Sequence, residues 1–142
     1  MNKELMFSSK TEMWATPQLF FNECNKEFNF DVDVCAVESN AKCKEYFSPE
    51  QDGLQMSWGG YKNVWCNPPY GRGMEKWIEK AYNTNKEFHN TIVMLLPART
   101  DTIAFHKFIY NHAEIRFIKG RLKFNDGKNP APFPSMLVIF KN

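Results

Sequence analysis

The residues best placed to do chemistry in this 142-residue chain are Asn67-Pro68-Pro69-Tyr70, which follow the apolar run Val64-Trp65-Cys66. Proline fixes its own φ and pushes the residue before it into extended conformations, so Asn67 and Pro68 are both held out of the helical region. Two acceptors, the side-chain oxygen of Asn67 and the main-chain carbonyl of Pro68, therefore converge with little freedom left. A flat amine, such as the exocyclic amino group of a nucleobase, presents two N–H donors beside a π-system; the acceptors match the donors, and Tyr70 supplies a ring for stacking. Asn-Pro-Pro by itself also reads as a plain turn after a strand. Its place decides for function, because Gly71-Arg72-Gly73 then leads into a helix-like pattern. The motif thus stands at the carboxyl end of a strand in an α/β unit, where such folds bind ligands.

Other reactive side chains carry less. Cys24, Cys35, Cys43 and Cys66 include no C-x-x-C pair, and His89, His106 and His112 have no ligand-like spacing with them, which argues against a metal site. Cys35 and Cys66 lie in apolar runs and read as small core hydrophobes, so neither a disulfide nor a thiol nucleophile is assigned. The net charge of +2 conceals a division. Residues 1–111 hold 12 Lys+Arg against 14 Asp+Glu, whereas residues 112–142 hold 6 against 2. The local excess falls on Arg116, Lys119, Arg121, Lys123 and Lys128, beside a Gly- and Pro-rich loop where a phosphate backbone could be gripped; a solvated strand face is the plain alternative.

These residues need a scaffold, and the length allows one domain burying roughly 70% of its unfolded surface, with no room for a separate target-recognition domain. A hydrophobic fraction of 43% argues against disorder, and no apolar run approaches a membrane span. Met1-Asn2-Lys3-Glu4 carries no signal-peptide pattern, so a cytoplasmic location is expected.

Thr16 as N-cap, Pro17 at the first helical position and the stripe Leu19, Phe20, Cys24, Phe28 predict a helix to about Phe28. Residues 30–36 read as a first strand, residues 45–47 as a short second one, and residues 48–61 as a long loop of the kind that lines sites. A strand then ends in the Asn-Pro-Pro-Tyr motif, and a helix follows with Trp77, Ile78, Ala81 and Tyr82 on one face. Residues 91–96, almost wholly apolar, suit a central parallel strand covered on both faces. Thr100 or Asp101 is expected to cap a helix carrying Ile103, Phe105, Phe108 and Ile109. Residues 114–124 and 135–140 close the chain as two strands, which must pair antiparallel or lie apart because no crossover helix separates them.

In this order the motifs resemble the phage-type adenine-specific DNA methyltransferases, the small Dam-like family, over nearly the whole chain. They are Trp14-Ala15-Thr16-Pro17, residues 30–36, Asn40-Ala41-Lys42-Cys43, Asp52-Gly53-Leu54, the Asn-Pro-Pro-Tyr motif, residues 95–99, residues 120–124 and residues 131–135. The combination is far more specific than the four-residue motif, which methyltransferases of RNA and of protein glutamine also use.

The resemblance implies a trimmed, Rossmann-like S-adenosylmethionine-dependent methyltransferase fold with a terminal antiparallel strand pair. It also implies S-adenosyl-L-methionine as methyl donor and adenine in DNA as acceptor, inside a bacterial or phage-infected cell. On the family pattern Thr16 and Pro17 border the methionine end of the cofactor, Asp33, Cys35 and Ala36 form the turn beside it, and Asp52 with Leu54 flanks the adenosine. Asn67, Pro68, Pro69 and Tyr70 form the catalytic motif, and Arg72, Arg99, Arg121 and Lys123 are expected to reach DNA phosphates. Arg99 has an alternative in pairing with Asp101 or Asp33. Trp14, beside Thr16-Pro17, is the one tryptophan read as lying outside the core.

Two departures stand out. Val34-Cys35-Ala36 replaces the usual glycine-rich turn after the first strand, and the acidic residue that commonly holds the ribose hydroxyls is represented only by Glu50 or Asp52. The competing readings are a methyltransferase acting on RNA adenine or a protein glutamine amide, and a non-catalytic nucleic-acid-binding relative. Monomer and homodimer both remain open.

Overall fold

A computed structural model describes residues 14–142; the segment read above for signal-peptide pattern, Met1 to Glu4, lies outside the described residues. Five strands form one mixed sheet. In spatial order they are β1 (Val32–Asp33), β2 (Asn63–Cys66), β3 (Thr91–Pro97), β5 (Ser135–Phe140) and β4 (Glu114–Phe117). The first three run parallel, and β5 is inserted antiparallel between β3 and β4. The terminal strands do pair antiparallel, as expected. Strand β3 is central and buried from Ile92 to Pro97, but parallel only on its β2 side, because β5 occupies the other. Here Ile92 to Leu96, with Val138 to Phe140 opposite, form the middle of the core.

The strand expected over residues 30–36 shrinks to Val32–Asp33, and the short one expected over residues 45–47 is shorter still. Asp33 ends β1 by turning its own carboxylate back: Oδ1 accepts the Cys35 N–H, a local turn that competes with strand continuation. Residues 45–47 reduce to one bridge, Tyr46 opposite Asp33, with the Phe47 N–H donating to the Asp33 carbonyl. Residues 48–61 have neither helix nor strand, as expected. In that loop Gly53 sits so close to the end of β1 that a Cβ would lie 2.1 Å from the Val34 carbonyl oxygen and 2.9 Å from the Trp77 ring. Only glycine fits there.

Helix α1 (Gln18–Phe28) confirms the predicted span, but its cap differs. Pro17 occupies the N-cap without a side-chain bond, and the Gln18 N–H is taken by Asp126 Oδ1 at 3.0 Å. Thr16 does not cap, since its hydroxyl is engaged elsewhere. Helix α2 (Met74–Phe88) buries Trp77, Ile78 and Ala81 of the predicted face, together with Met74 and Thr84, and leaves Tyr82 half-buried.

The helix expected after Thr100 or Asp101 is present but short: residues 103–104 are α-helical and Phe105–Ile109 continue as a π-helical turn, with the Phe105 N–H capped by Thr102 Oγ1 at 3.2 Å. The wider turn, closed by Tyr110 N–H to the Phe105 carbonyl, faces Phe105, Phe108 and Ile109 inward and leaves Ile103 84% exposed. Strand β4 stops at Phe117, well before residue 124, and the chain leaves the sheet through Gly120 at φ 78°. No helix of the described residues is long and apolar enough to cross a membrane.

Candidate active site

Because β1, β2 and β3 are parallel, their carboxyl ends share one edge of the sheet, the edge where open α/β sheets bind ligands. Asn67 and Pro68 follow the last residue of β2, and Cys35 follows β1 by two residues. Strand alternation puts Trp65 and Asn67 on the same side, and both line a narrow cleft with Thr16, Asp33, Cys35 and Lys42.

The amide of Asn67 is tightly specified. Its Nδ2 donates to the main-chain carbonyl of Trp14 and, at 3.0 Å, to Thr16 Oγ1. Turning the amide over would set an oxygen against the Trp14 carbonyl, so the network itself fixes which atom is which. Both N–H groups are thereby used, and Oδ1 is left buried without a hydrogen-bond partner among the described residues. An orphaned buried acceptor costs about 1–3 kcal/mol until a donor, from water or from a ligand, meets it. Trp65 Nε1, from the same side of β2, is also buried without a partner among the described residues.

Residues 14–16 hold Asn67 because a distant turn holds them. Asn125 Oδ1 accepts the Ala15 N–H at 2.9 Å while the Asn125 N–H donates to the Ala15 carbonyl at 2.8 Å. Asp126 takes the first N–H of α1, where a carboxylate also suits the positive end of the helix dipole. Asn125 and Asp126 have φ of 61° and 50°, a left-handed conformation that Asn and Asp tolerate better than other side chains.

Asp33 is 2% exposed. Its two oxygens accept the N–H groups of Cys35 and Lys42 at 3.2 and 3.0 Å, tying the start and end of the loop after β1 together. Burial raises its carboxyl to about 7, against the lowering pull of those two bonds. Burial likewise pushes the thiols of Cys35 and Cys66 upward, and that of Cys24 to about 11, so all three stay protonated and non-nucleophilic at neutral pH.

Tyr70 is 1% exposed, and its hydroxyl donates to the Leu95 carbonyl at 2.9 Å. Phe124 and Phe133 meet its ring edge to face at 6.1 and 5.6 Å, and Trp14 joins the same two phenylalanines. Trp14 therefore packs into an aromatic cluster rather than standing free.

The structure brings Thr16, Asp33 and Cys35 to one cleft with Asn67 and Pro68. Ala36 lines an adjoining cavity that shares Cys35 and is walled by Phe47, Gly53 and Trp77. Pro17, Asp52 and Leu54 line neither: Asp52 Oδ1 accepts the Leu54 N–H within its own turn, and Leu54 faces another cleft along α2. Sequence reasoning passed over Trp65, Lys42 and Phe47. Period-two alternation from Asn67 would have found Trp65, whereas Lys42 and Phe47 arrive through loop folding that leaves no local signature.

Of the cationic residues, Arg72, Arg99, Arg121 and Lys123 are exposed. Arg99 forms no ion pair with Asp101 or Asp33 among the described residues, and Arg121 donates to the Ala131 carbonyl at 3.3 Å. Arg116 leaves the basic patch, because Glu27 binds it through two oxygens at 2.7 and 2.8 Å and Glu114 through a third contact.

One mixed five-stranded sheet flanked by helices, with an asparagine just past the end of a parallel strand, defines a mixed α/β protein. The chain matches the profile of the DNA N-6-adenine-methyltransferase (Dam) family over residues 4–142 and belongs to that family. It is 33% identical over 149 aligned positions to the DNA N-6-adenine-methyltransferase of Haemophilus phage HP1 (strain HP1c1), covering 99% of this chain and 85% of that protein. A second relative, the DNA N-6-adenine-methyltransferase of Escherichia phage T1, is 36% identical over 112 positions, which is 78% of this chain and 46% of that one. The chain thus aligns with less than half of the T1 protein.

Proposed function

We propose that this protein is an adenine-specific DNA methyltransferase that transfers a methyl group from S-adenosylmethionine directly to the exocyclic amino nitrogen of an adenine turned out of the DNA stack. The observation that carries the reading is the Asn67 amide, with both N–H groups engaged and Oδ1 buried without a partner among the described residues. Family membership supports DNA as the substrate. The sheet order, with an antiparallel strand inserted beside the parallel ones, supports a trimmed Rossmann-like methyltransferase fold in a single domain.

The residues fit a methyl donor of this kind. Thr16, Cys35 and Lys42 in the first cavity face the end nearest Asn67, and Phe47 and Trp77 in the second provide apolar walls suited to an adenosine. Both cavities are narrow, so their walls part on binding. S-adenosylmethionine supplies an electrophilic methyl on sulfonium sulfur. The protein's own part is orientation: Asn67 Oδ1 and the Pro68 carbonyl accept the two amino hydrogens of adenine, drawing the nitrogen lone pair out of the ring and toward the methyl. An amide is no base at neutral pH, so Asn67 takes no proton; the proton leaves to water once the nitrogen is alkylated and acidic. Stacking of the base on Tyr70 requires Phe124 and Phe133 to shift, and would offset the few kcal/mol of unstacking. Arg72, Arg99, Arg121 and Lys123 orient the duplex through its phosphates, and residues 48–61 and 125–134 carry sequence recognition.

The test is transfer of labelled methyl to unmethylated DNA followed by nucleoside mass spectrometry of the digest. N6-methyldeoxyadenosine is the expected product; label confined to RNA or protein when these are offered overturns DNA as the acceptor. Asn67→Ala is expected to lower turnover at least about 100-fold while calorimetry still detects the methyl donor, because only the acceptor for the transition state is removed.

A further inference from the structure

Asparagine and aspartate have nearly the same shape, and either offers an oxygen to an incoming amine. The surroundings of position 67 are not neutral between them. The Trp14 carbonyl is an acceptor without a proton to give, and it faces Nδ2 of Asn67 directly. The Thr16 hydroxyl, on a side chain 3% exposed, accepts the other N–H. Residues 14–16 are in turn fixed by Asn125 and Asp126, so the Trp14 carbonyl does not swing aside cheaply.

We propose that the Trp14 carbonyl and the Thr16 hydroxyl are positioning groups that aim Asn67 Oδ1 at the substrate amine and restrict position 67 to an uncharged donor–acceptor side chain. The inference rests on the reading of Asn67 as an acceptor for adenine's amino group. In Asn67→Asp an ionised carboxylate meets the Trp14 carbonyl oxygen head on, and the side chain rotates or is driven out. A protonated carboxyl restores the pattern: its hydroxyl donates to Trp14 and its carbonyl oxygen faces the substrate. Activity of this variant therefore returns as pH falls, the opposite of what a carboxylate acting as base would show. Asp33 and Cys35 after β1, and Lys42 on the following loop, are the other ionisable groups of the cleft. They are common to both enzymes, so the ratio of variant to wild type isolates position 67.

The experiment compares wild type, Asn67→Asp and Thr16→Val in methyl transfer to DNA from about pH 6 to about 8.5. At about pH 8 the Asn67→Asp rate is expected about 100-fold or more below wild type, with the gap narrowing up to about tenfold per pH unit on acidification. Thr16→Val is expected to lower kcat about tenfold with KM for DNA little changed. An Asn67→Asp enzyme within about threefold of wild type at that pH, or a ratio independent of pH, overturns the proposal.

A second readout needs neither substrate nor turnover. In the 15N-edited NMR spectrum of the free protein the two Nδ2 protons of Asn67 are expected shifted from exposed-amide positions and slow to exchange, with Thr16→Val moving one of them. An Asn67 pair at exposed-amide positions, or one unmoved by Thr16→Val, overturns the proposal even where a variant folds poorly. If wild type transfers no methyl to DNA, the function reading fails and the aim of Oδ1 at a substrate amine fails with it, while the NMR result still decides whether Trp14 and Thr16 hold the Asn67 amide.

Discussion

At the scale of single residues, burial sets the chemistry of this site. Asp33 shows it most clearly, since its carboxyl holds two backbone N–H groups and yet is raised to about 7 by desolvation. A carboxyl raised in the folded state keeps its proton where the unfolded chain has lost it. Its contribution to stability is thus fully present below about pH 4 and is lost as pH rises toward about 7. Chemical unfolding of wild type and Asp33→Asn across this window is expected to show the advantage of wild type shrinking with rising pH, by on the order of a few kcal/mol. A difference constant with pH would mean that Asp33 ionises normally in the fold. Glu27 and Glu114, held below the usual carboxylate range by hydrogen bonds to Arg116 and Lys141 respectively, lose their contribution as pH falls; the comparison with the variant cancels them.

At the scale of elements, the site depends on a connection between segments far apart in sequence. The turn Phe124–Asp126 grips residues 15 and 18, and the segment 14–16 grips Asn67, which follows β2. Removing the Asp126 carboxylate takes away the partner of the first α1 N–H and should cost about 1 kcal/mol, as for an N-cap. It should also loosen residues 14–16. Asp126→Ala is therefore expected to lower Tm by a few degrees and, measured where the protein is fully folded, to lower kcat several-fold. A stability loss with kcat unchanged would show that α1 is anchored by Asp126 but the site is not. The Glu27–Arg116 pair joins α1 to β4 in the same long-range manner, though as a half-exposed pair it contributes at most about 1 kcal/mol.

At the scale of the whole molecule, the question is how a chain with net charge +2 holds a polyanion. Arg116 is spent on Glu27 and Glu114, which leaves exposed cations such as Arg99 and Lys123 to act locally. Each phosphate contact releases condensed counterions. If both residues reach phosphates, Arg99→Ala and Lys123→Ala should each reduce the slope of log Kd against log salt for DNA by about 1, with little change in base preference. An unchanged slope in either variant would remove that residue from the interface. Such modest charge favours short contact areas over wrapping.

The sequence alone determined the elements whose signals are local. Periodicity marked α1 and the buried face of α2, the apolar run marked β3, and two prolines after an asparagine marked the strand-end motif. The order of motifs then gave the family, and residues 4–142 match it. Tertiary structure decided what those signals do not encode. Thr16 looks like an N-cap, because Thr before Pro has that local preference, but its hydroxyl instead receives the amide of a residue 51 positions away. Asp33 reads as one more strand residue until its carboxylate folds back and ends β1. Thr102 rather than Thr100 or Asp101 caps the helix after β3, and that helix passes from α at residues 103–104 to π from Phe105, where Phe105, Phe108 and Ile109 pack into the core. Which atom of the Asn67 amide is left open to the cleft is the extreme case. The residue type is local, but its direction is set by an acceptor on one side and a hydroxyl on the other, and only folding brings these together.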